Sequence, residues 1–196
     1  MADTSASLLD QLRDHPDDAL WKRFVELYSP LIRHWLGRHT LASSDADDVV
    51  QEVLTVVVRR LPEFYRQPRT GAFRAWLRTV TANCLRDFWR SQRVRPRATV
   101  ASDFQAVLEQ LADSASGLSR QWDEEHDQFV THKLLDTIRP EFHERTWRAF
   151  HGVAVDGRSP DDVAKELGVT VNAVFIAKSR VLGRLRSEAK GLIDDT

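Results

Sequence analysis

Arg74, Arg78, Arg86, Arg90 and Arg93 recur within GAFRAWLRTVTANCLRDFWRSQRVR, from Gly71 to Arg95. A guanidinium stays protonated in water and presents a planar fork of donors, so its chemistry is anion binding rather than proton transfer. A second basic set, Lys178, Arg180, Arg184, Arg186 and Lys190, lies near the other end of the chain with one acid, Glu188. Cations repeated at helical spacing suit a polyanion better than a single small anion. An isolated arginine helix is most simply a solvated face, so the surrounding chain has to decide.

The first set needs a helix to position it. Phe73, Trp76, Leu77, Val80, Cys84 and Phe88 fall three and four apart and form an apolar stripe. At ~100° per residue the arginines project mainly to the other side, and Trp89 points toward them. Periodicity assigns Trp76 to the core and leaves Trp89 open between core and ligand. The one cysteine, Cys84, lies on the stripe, which excludes an intramolecular disulfide and makes it a small buried hydrophobe.

The second set needs a helix-turn-helix. In SPDDVAKELGVTVNAVFIAKSRVLGRLR, Ser159 is a cap, Pro160 takes the first helical position, and Asp161 and Asp162 complement the dipole. Gly168 turns the chain, Ala164 permits close helix approach, and Val169 and Val174 fill the corner. The following helix, from about Val171 to Ala189, is the expected major-groove reader. Its phosphate contacts are Lys178, Ser179, Arg180 and Arg184.

The rest of the chain supplies scaffold. A helix is expected from Asp17 or Asp18, with Pro30 breaking or kinking it near Ser29 and Gly37 as a stop. The next begins at Ser44, with Asp47 completing an approximate capping box, and ends at Pro62. Asp45 and Asp47 read as partners of its dipole. No convincing strand or hairpin signal occurs, so the fold class is all-α. Residues 1–17 form an acidic tail, 18–97 a first helical domain, 98–121 a flexible acidic linker and 122–193 a second domain. Phe104, Val107, Leu108 and Leu111 give the linker the pattern of a short amphipathic helix.

Bulk composition agrees. The 196 residues are 42% hydrophobic, enough to bury a core, and the formal net charge is -1. The distribution matters more than the sum: Arg66 to Arg97 holds nine arginines against one acid, whereas Thr99 to Asp127 holds seven acids against one arginine. The N-terminus lacks an apolar signal region and no run approaches the ~20 apolar residues of a membrane span, so a soluble cytoplasmic protein without membrane insertion is expected. A metal-dependent hydrolase is disfavoured. None of His126, His132, His143 and His151 stands at i, i+4 to a second ligand beside a glutamate base.

DADDVVQEVLTVVVRRL, the arginine helix and the C-terminal helix-turn-helix, in this order, resemble a bacterial RNA polymerase sigma factor of the sigma-70 superfamily. The likeness is to its short, two-domain extracytoplasmic-function group and covers roughly residues 20–97 and 125–189. It implies a region 2 helical bundle and a region 4 helix-turn-helix. The function implied is a promoter-specificity subunit that is not an enzyme and needs no cofactor. Asp48, Gln51 and Glu52 match the region that docks on the clamp helices of the polymerase's largest subunit. Asn83, Arg86 and Arg90, with Arg78 and Arg93 next, match −10 promoter contacts. Thr170, Asn172, Lys178, Ser179, Arg180 and Arg184 fall where the −35 element is read. The resemblance further implies that the second domain meets the flap of the second-largest subunit and that the linker passes near the active centre. An anti-sigma factor would be a further partner. Two places depart from the family. Thr79-Val80 stands where housekeeping members carry an aromatic wedge. The family's Lys-Ser-Arg falls three residues late, at 178–180, leaving Phe175-Ile176-Ala177 in its place. The alternative is a free-standing helix-turn-helix regulator, which would give no reason for the Asp48, Gln51 and Glu52 face.

Overall fold

The computed structural model describes residues 7–38, 41, 43–64, 72–91 and 106–193. Its elements are α1 (Leu8–Asp14), α2 (Asp18–Arg38), α3 (Ser43–Phe64), α4 (Ala72–Ser91), α5 (helical over residues 106–112), α6 (Gly117–Ile138), a 3-10 turn (Arg139–Glu141), α7 (Glu144–Ala154), α8 (Pro160–Leu167) and α9 (Val171–Ala189). Among the described residues the only β pairing is an isolated bridge between Lys190 and Ile193. The class is all-α, as the sequence implies.

α1 was not foreseen within the acidic tail. Ser7 caps it by accepting from the Asp10 amide at 3.2 Å, and Leu8, Leu9 and Leu12 are buried. Three leucines on one face outweigh the surrounding acids, because burial of each is worth about 1.5–3 kcal/mol. The end of the chain meets the same helix: Leu192 is buried and Lys190 lies 3.5 Å from Asp10.

α2 starts as expected, with Asp17 accepting from the Leu20 amide at 2.7 Å. It does not break at Pro30, which lies inside a continuous helix on an exposed position. The lost hydrogen bond costs about 3 kcal/mol. Burial of Leu27, Tyr28, Leu31 and Ile32 on either side offsets it, and water can satisfy the freed carbonyl. α3 begins at Ser43, one residue before the expected cap, and continues through Pro62 to Phe64. Within the last turn a proline forfeits few bonds, so it does not end the helix. Asp47 does more than complement the dipole: its carboxylate accepts from Arg33 Nε of α2 at 2.5 Å.

One core is formed by α1 to α6. It holds Phe24, Tyr28, Ile32 and Trp35 of α2, Val53, Val57 and Leu61 of α3, and Phe73, Leu77 and Leu85 of α4. Leu108 and Leu111 of α5 are buried in it, which is the amphipathic pattern read from the sequence. α6 buries Trp122, His126, Val130 and Leu134 at offsets of four, so its buried stripe begins in the N-terminal bundle rather than in the C-terminal helices. Trp122 meets Trp35 edge-on at 4.7 Å, and His126 stacks on Tyr28 at 5.8 Å. At Leu135 and Ile138 α6 joins Trp147, Phe150 and Val181 of the C-terminal part. There Val163 and Ala164 of α8 pack on Ala149, Val174 and Ala177. A side chain at Gly152 would meet Val163 at 3.0 Å, so glycine sets how closely α7 and α8 cross.

Candidate nucleic-acid interface

α4 holds its face in register by the stripe read from the sequence. Phe73, Leu77, Val80, Cys84 and Leu85 are buried. Trp76 stacks on Phe64 and Phe73, with centroids 5.0 and 5.7 Å apart, which places it in the core. Trp89 is half-buried against the same core and meets Phe88 edge-on. Burial raises the Cys84 thiol to about 11, and the charges of Glu52 and Asp87 add to the effect. The thiol therefore stays protonated at neutral pH.

The arginine face is divided. Arg86 and Arg90 look outward, and Arg86 donates to Asn83 Oδ1 at 2.6 Å. Arg90 stands 3.9 Å from Asp87 with both side chains three-quarters exposed, a weak pairing that a phosphate could displace. Arg78 is placed differently from the sequence expectation. It is 4% exposed and donates to Asp123 Oδ1 at 2.5 Å and to the Ser119 carbonyl at 3.4 Å. Arg74 is paired with both Asp123 and Asp127 of α6. At ~100° per residue Arg74 and Arg78 lie about 120° around α4 from Arg86 and Arg90, so the pairs take opposite flanks of the stripe. The position of α6 decides which flank is covered. Arg93 lies outside the described residues.

Between α3 and α4 is a cleft of about 810 Å³. Asn83, Arg86 and Arg90 line it from α4, and Asp48, Glu52 and Arg60 from α3. The cleft thus brings together residues expected to touch DNA and residues expected to touch protein. Arg60 stands eight residues, about two turns, after Glu52, which brings it to the same cleft. Gln51 does not join them. It lines a neighbouring concavity of about 410 Å³ with Arg33, Asp47, Leu54 and Val58, and Val58 is 44% exposed.

The helix-turn-helix forms as the sequence specifies. Ser159 caps α8 by accepting from the Asp162 amide, Pro160 opens it, and Gly168 closes it at φ 62. Thr170 caps α9 by accepting from the Ala173 amide at 3.1 Å, which leaves its hydroxyl a proton and one lone pair for a ligand. Asn172, Ser179 and Arg180 are exposed and Lys178 half-buried on α9. Arg184 is held by the protein instead. It donates to Glu141 at 2.7 and 2.9 Å and to Glu188 at 2.6 Å. The bonds to Glu141, and then those to Glu188, raise its pKa further and hold its fork in place.

The sigma-70 region 2 family matches residues 24–95, the stretch that runs from Phe24 of α2 past the end of α4. This stretch of the chain is similar to sigma-70 region 2. A relative, the ferric citrate uptake sigma factor FecI of Escherichia coli (strain K12), is 28% identical over 151 residues, covering 76% of this chain and 79% of that one. No solved structure matches. The matched stretch includes the whole α3–α4 cleft, with Asp48, Glu52, Asn83, Arg86 and Arg90. Among the described residues no helix is long and apolar enough to cross a membrane.

Proposed function

We propose that this chain is a promoter-specificity subunit that binds core RNA polymerase, recognises −10 and −35 promoter elements and supports transcription initiation. The observation that carries this reading is the sigma-70 region 2 domain over residues 24–95, with the FecI likeness extending over most of the chain. A free-standing helix-turn-helix regulator would need no such domain. The protein would act beside polymerase in the cytoplasm, as a binding subunit rather than an enzyme.

In this reading Asp48, Gln51 and Glu52 form the surface for the clamp helices of the largest subunit. The three are exposed and their acids suit a basic coiled coil. The exposed Val58 beside Gln51 adds an apolar element to that surface. Asn83, Arg86 and Arg90 would hold the −10 region, with cations on phosphates while unstacked bases enter the cleft. Arg93 is included from the family resemblance alone. Arg78 is assigned to holding α6 rather than to DNA, because its guanidinium is buried against Asp123. On α9, Asn172, Lys178, Ser179, Arg180 and the Thr170 hydroxyl would face the −35 element, while Arg184 fixes the base of the helix. The flap of the second-largest subunit and an anti-sigma factor are the further partners that the family resemblance implies.

Run-off transcription with core polymerase from the same cell tests the reading. Promoter-dependent transcripts that require the added chain are expected. Their absence with every cognate core would refute it. Replacing Gln51 and Glu52 by alanine should weaken core binding with both helical parts folded, as read by circular dichroism.

A further inference from the structure

α9 exposes one face to solvent, and that face is not uniformly polar. Asn172, Phe175, Ile176, Ser179, Arg180 and Gly183 are its exposed residues up to Gly183. Val174, Ala177 and Val181 point the other way into the core. Phe175 is 51% exposed and Ile176 50%, the two most exposed large hydrophobics of the helix-turn-helix. A helix at a protein surface normally turns such residues inward, since burying each is worth about 1.5–3 kcal/mol. Here the inward positions are already filled, and the pair stands one turn beyond the N-cap Thr170.

The flanking residues indicate what would cover the pair. No acid occurs from Val171 to Ser187, while Lys178, Arg180 and Arg186 lie in the same helix. Among the described residues no ion pair engages Lys178 or Arg180. A protein partner would have to match an apolar centre with cations on its C-terminal side. The DNA major groove meets both demands: it is lined by phosphates, and its only apolar group is the C5-methyl of thymine. Phe and Ile can neither donate nor accept a hydrogen bond. Facing guanine or cytosine, they would strip water from polar base edges without replacing it. Facing thymine, they bury methyl groups.

We propose that Phe175 and Ile176 are specificity-determining residues that read thymine methyl groups in the −35 element. The inference rests on the reading of α9 as the −35 helix. Asn172 precedes the pair by one turn and suits the paired donor and acceptor of adenine. Ser179 and Arg180 follow it by one turn and serve the phosphates. At ~1.5 Å per residue the span from Asn172 to Arg180 is about 12 Å, enough for three to four base pairs. The thymine positions therefore fall at the centre of the contacted stretch. The three-residue displacement of Lys-Ser-Arg then has a consequence: the leading positions of the helix carry methyl readout in place of polar readout.

The test uses holoenzyme reconstituted from the full chain and its core polymerase. Duplexes randomised across the −35 region are selected for binding, and the selected duplex is then prepared with uracil in place of thymine there, which removes the methyl and nothing else. Central thymines are expected in the selected sequence, with affinity falling about fourfold for each methyl removed, the worth of burying one such group. The double substitution Phe175→Ala/Ile176→Ala should lower binding to the thymine duplex and abolish the thymine–uracil difference. Both side chains are exposed, so the fold should survive, and unchanged binding to −10 fork DNA would report it. Equal binding of thymine and uracil duplexes by the unaltered protein would overturn the inference, as would a double variant that keeps the difference. If no −35 sequence is selected and Lys178→Ala/Arg180→Ala is also without effect, α9 does not read DNA, and the underlying assignment of this helix falls with the inference.

Discussion

Arg78 of α4 and Asp123 of α6 lie 2.5 Å apart, with the guanidinium side chain 5% exposed and the carboxylate 25%. A charge at this depth is tolerated only while its partner remains. Removing one partner of a fully buried pair costs about 3–5 kcal/mol, whereas replacing both by apolar groups is often neutral. Asp123 is partly solvated, so Asp123→Ala should cost about 2 kcal/mol, below that range. Arg78→Met/Asp123→Leu should recover much of the loss. Urea unfolding of the three variants measures this. A double variant no better than Asp123→Ala alone would show that the pair is not coupled.

The neighbouring carboxylate gives the α4–α6 contact an acid limit. Burial raises the Asp127 pKa, but hydrogen bonds from His126 and Arg74 outweigh it and hold it below the usual 3.8. As pH falls, the unfolded chain therefore takes up this proton before the folded one does. The stabilisation is fully present above about 3.8 and is lost as pH drops through the lower folded value. Asp127→Asn should flatten the acid limb of the stability curve, measured as the urea midpoint between pH 5 and pH 3. A variant with the same acid slope as the parent would remove Asp127 as the titrating group.

These two pairs mark where sequence reasoning stopped. Periodicity placed Phe73, Leu77, Val80 and Cys84 inside because burial follows local spacing once a helix forms. The cap Ser159 and the turn at Gly168 located α8 to the residue, since both act on their own backbone neighbours. The helical period sets Arg78 about 80° around α4 from Arg86, but nothing local says which of the two is covered. That difference depends on Asp123 and Ser119, more than forty residues away in sequence. The same holds for Arg184, whose partner Glu141 is as distant. Pro30 misled for a related reason. Its cost is local, but the burial that offsets it comes from other helices.

The divided arginine face predicts a divided salt dependence. Each phosphate contact on single-stranded DNA contributes about 0.7 to the slope of log affinity against log salt. Arg86→Ala and Arg90→Ala should each lower the slope by up to that amount when holoenzyme binds −10 fork DNA. Arg78→Met should leave it unchanged, because its charge already belongs to Asp123. Filter binding across a salt series separates the cases. A slope lowered equally by Arg78→Met would mean that α6 yields this arginine to DNA in the complex.

The turn of the helix-turn-helix allows a test of backbone strain without side-chain interference. Gly168 adopts φ 62 at the end of α8, and its amide closes the helix onto the carbonyls of Ala164 and Lys165. A side chain built there meets nothing within 4 Å. Any cost of Gly168→Ala must therefore come from the left-handed conformation, about 1–2 kcal/mol for an L-residue. Gly168→Asn should cost less, because asparagine tolerates this region better. At Gly152 the reverse applies. The backbone is ordinary helix, and a larger residue is opposed by Val163 at 3.0 Å. Gly152→Val should lose about 1–3 kcal/mol through overpacking, and trimming Val163 to alanine in the same chain should relieve part of it. No such relief is available to Gly168→Ala. Chemical denaturation of these variants distinguishes a strained turn from a crowded crossing. If trimming Val163 failed to relieve Gly152→Val, the α7–α8 spacing would not be set by that contact.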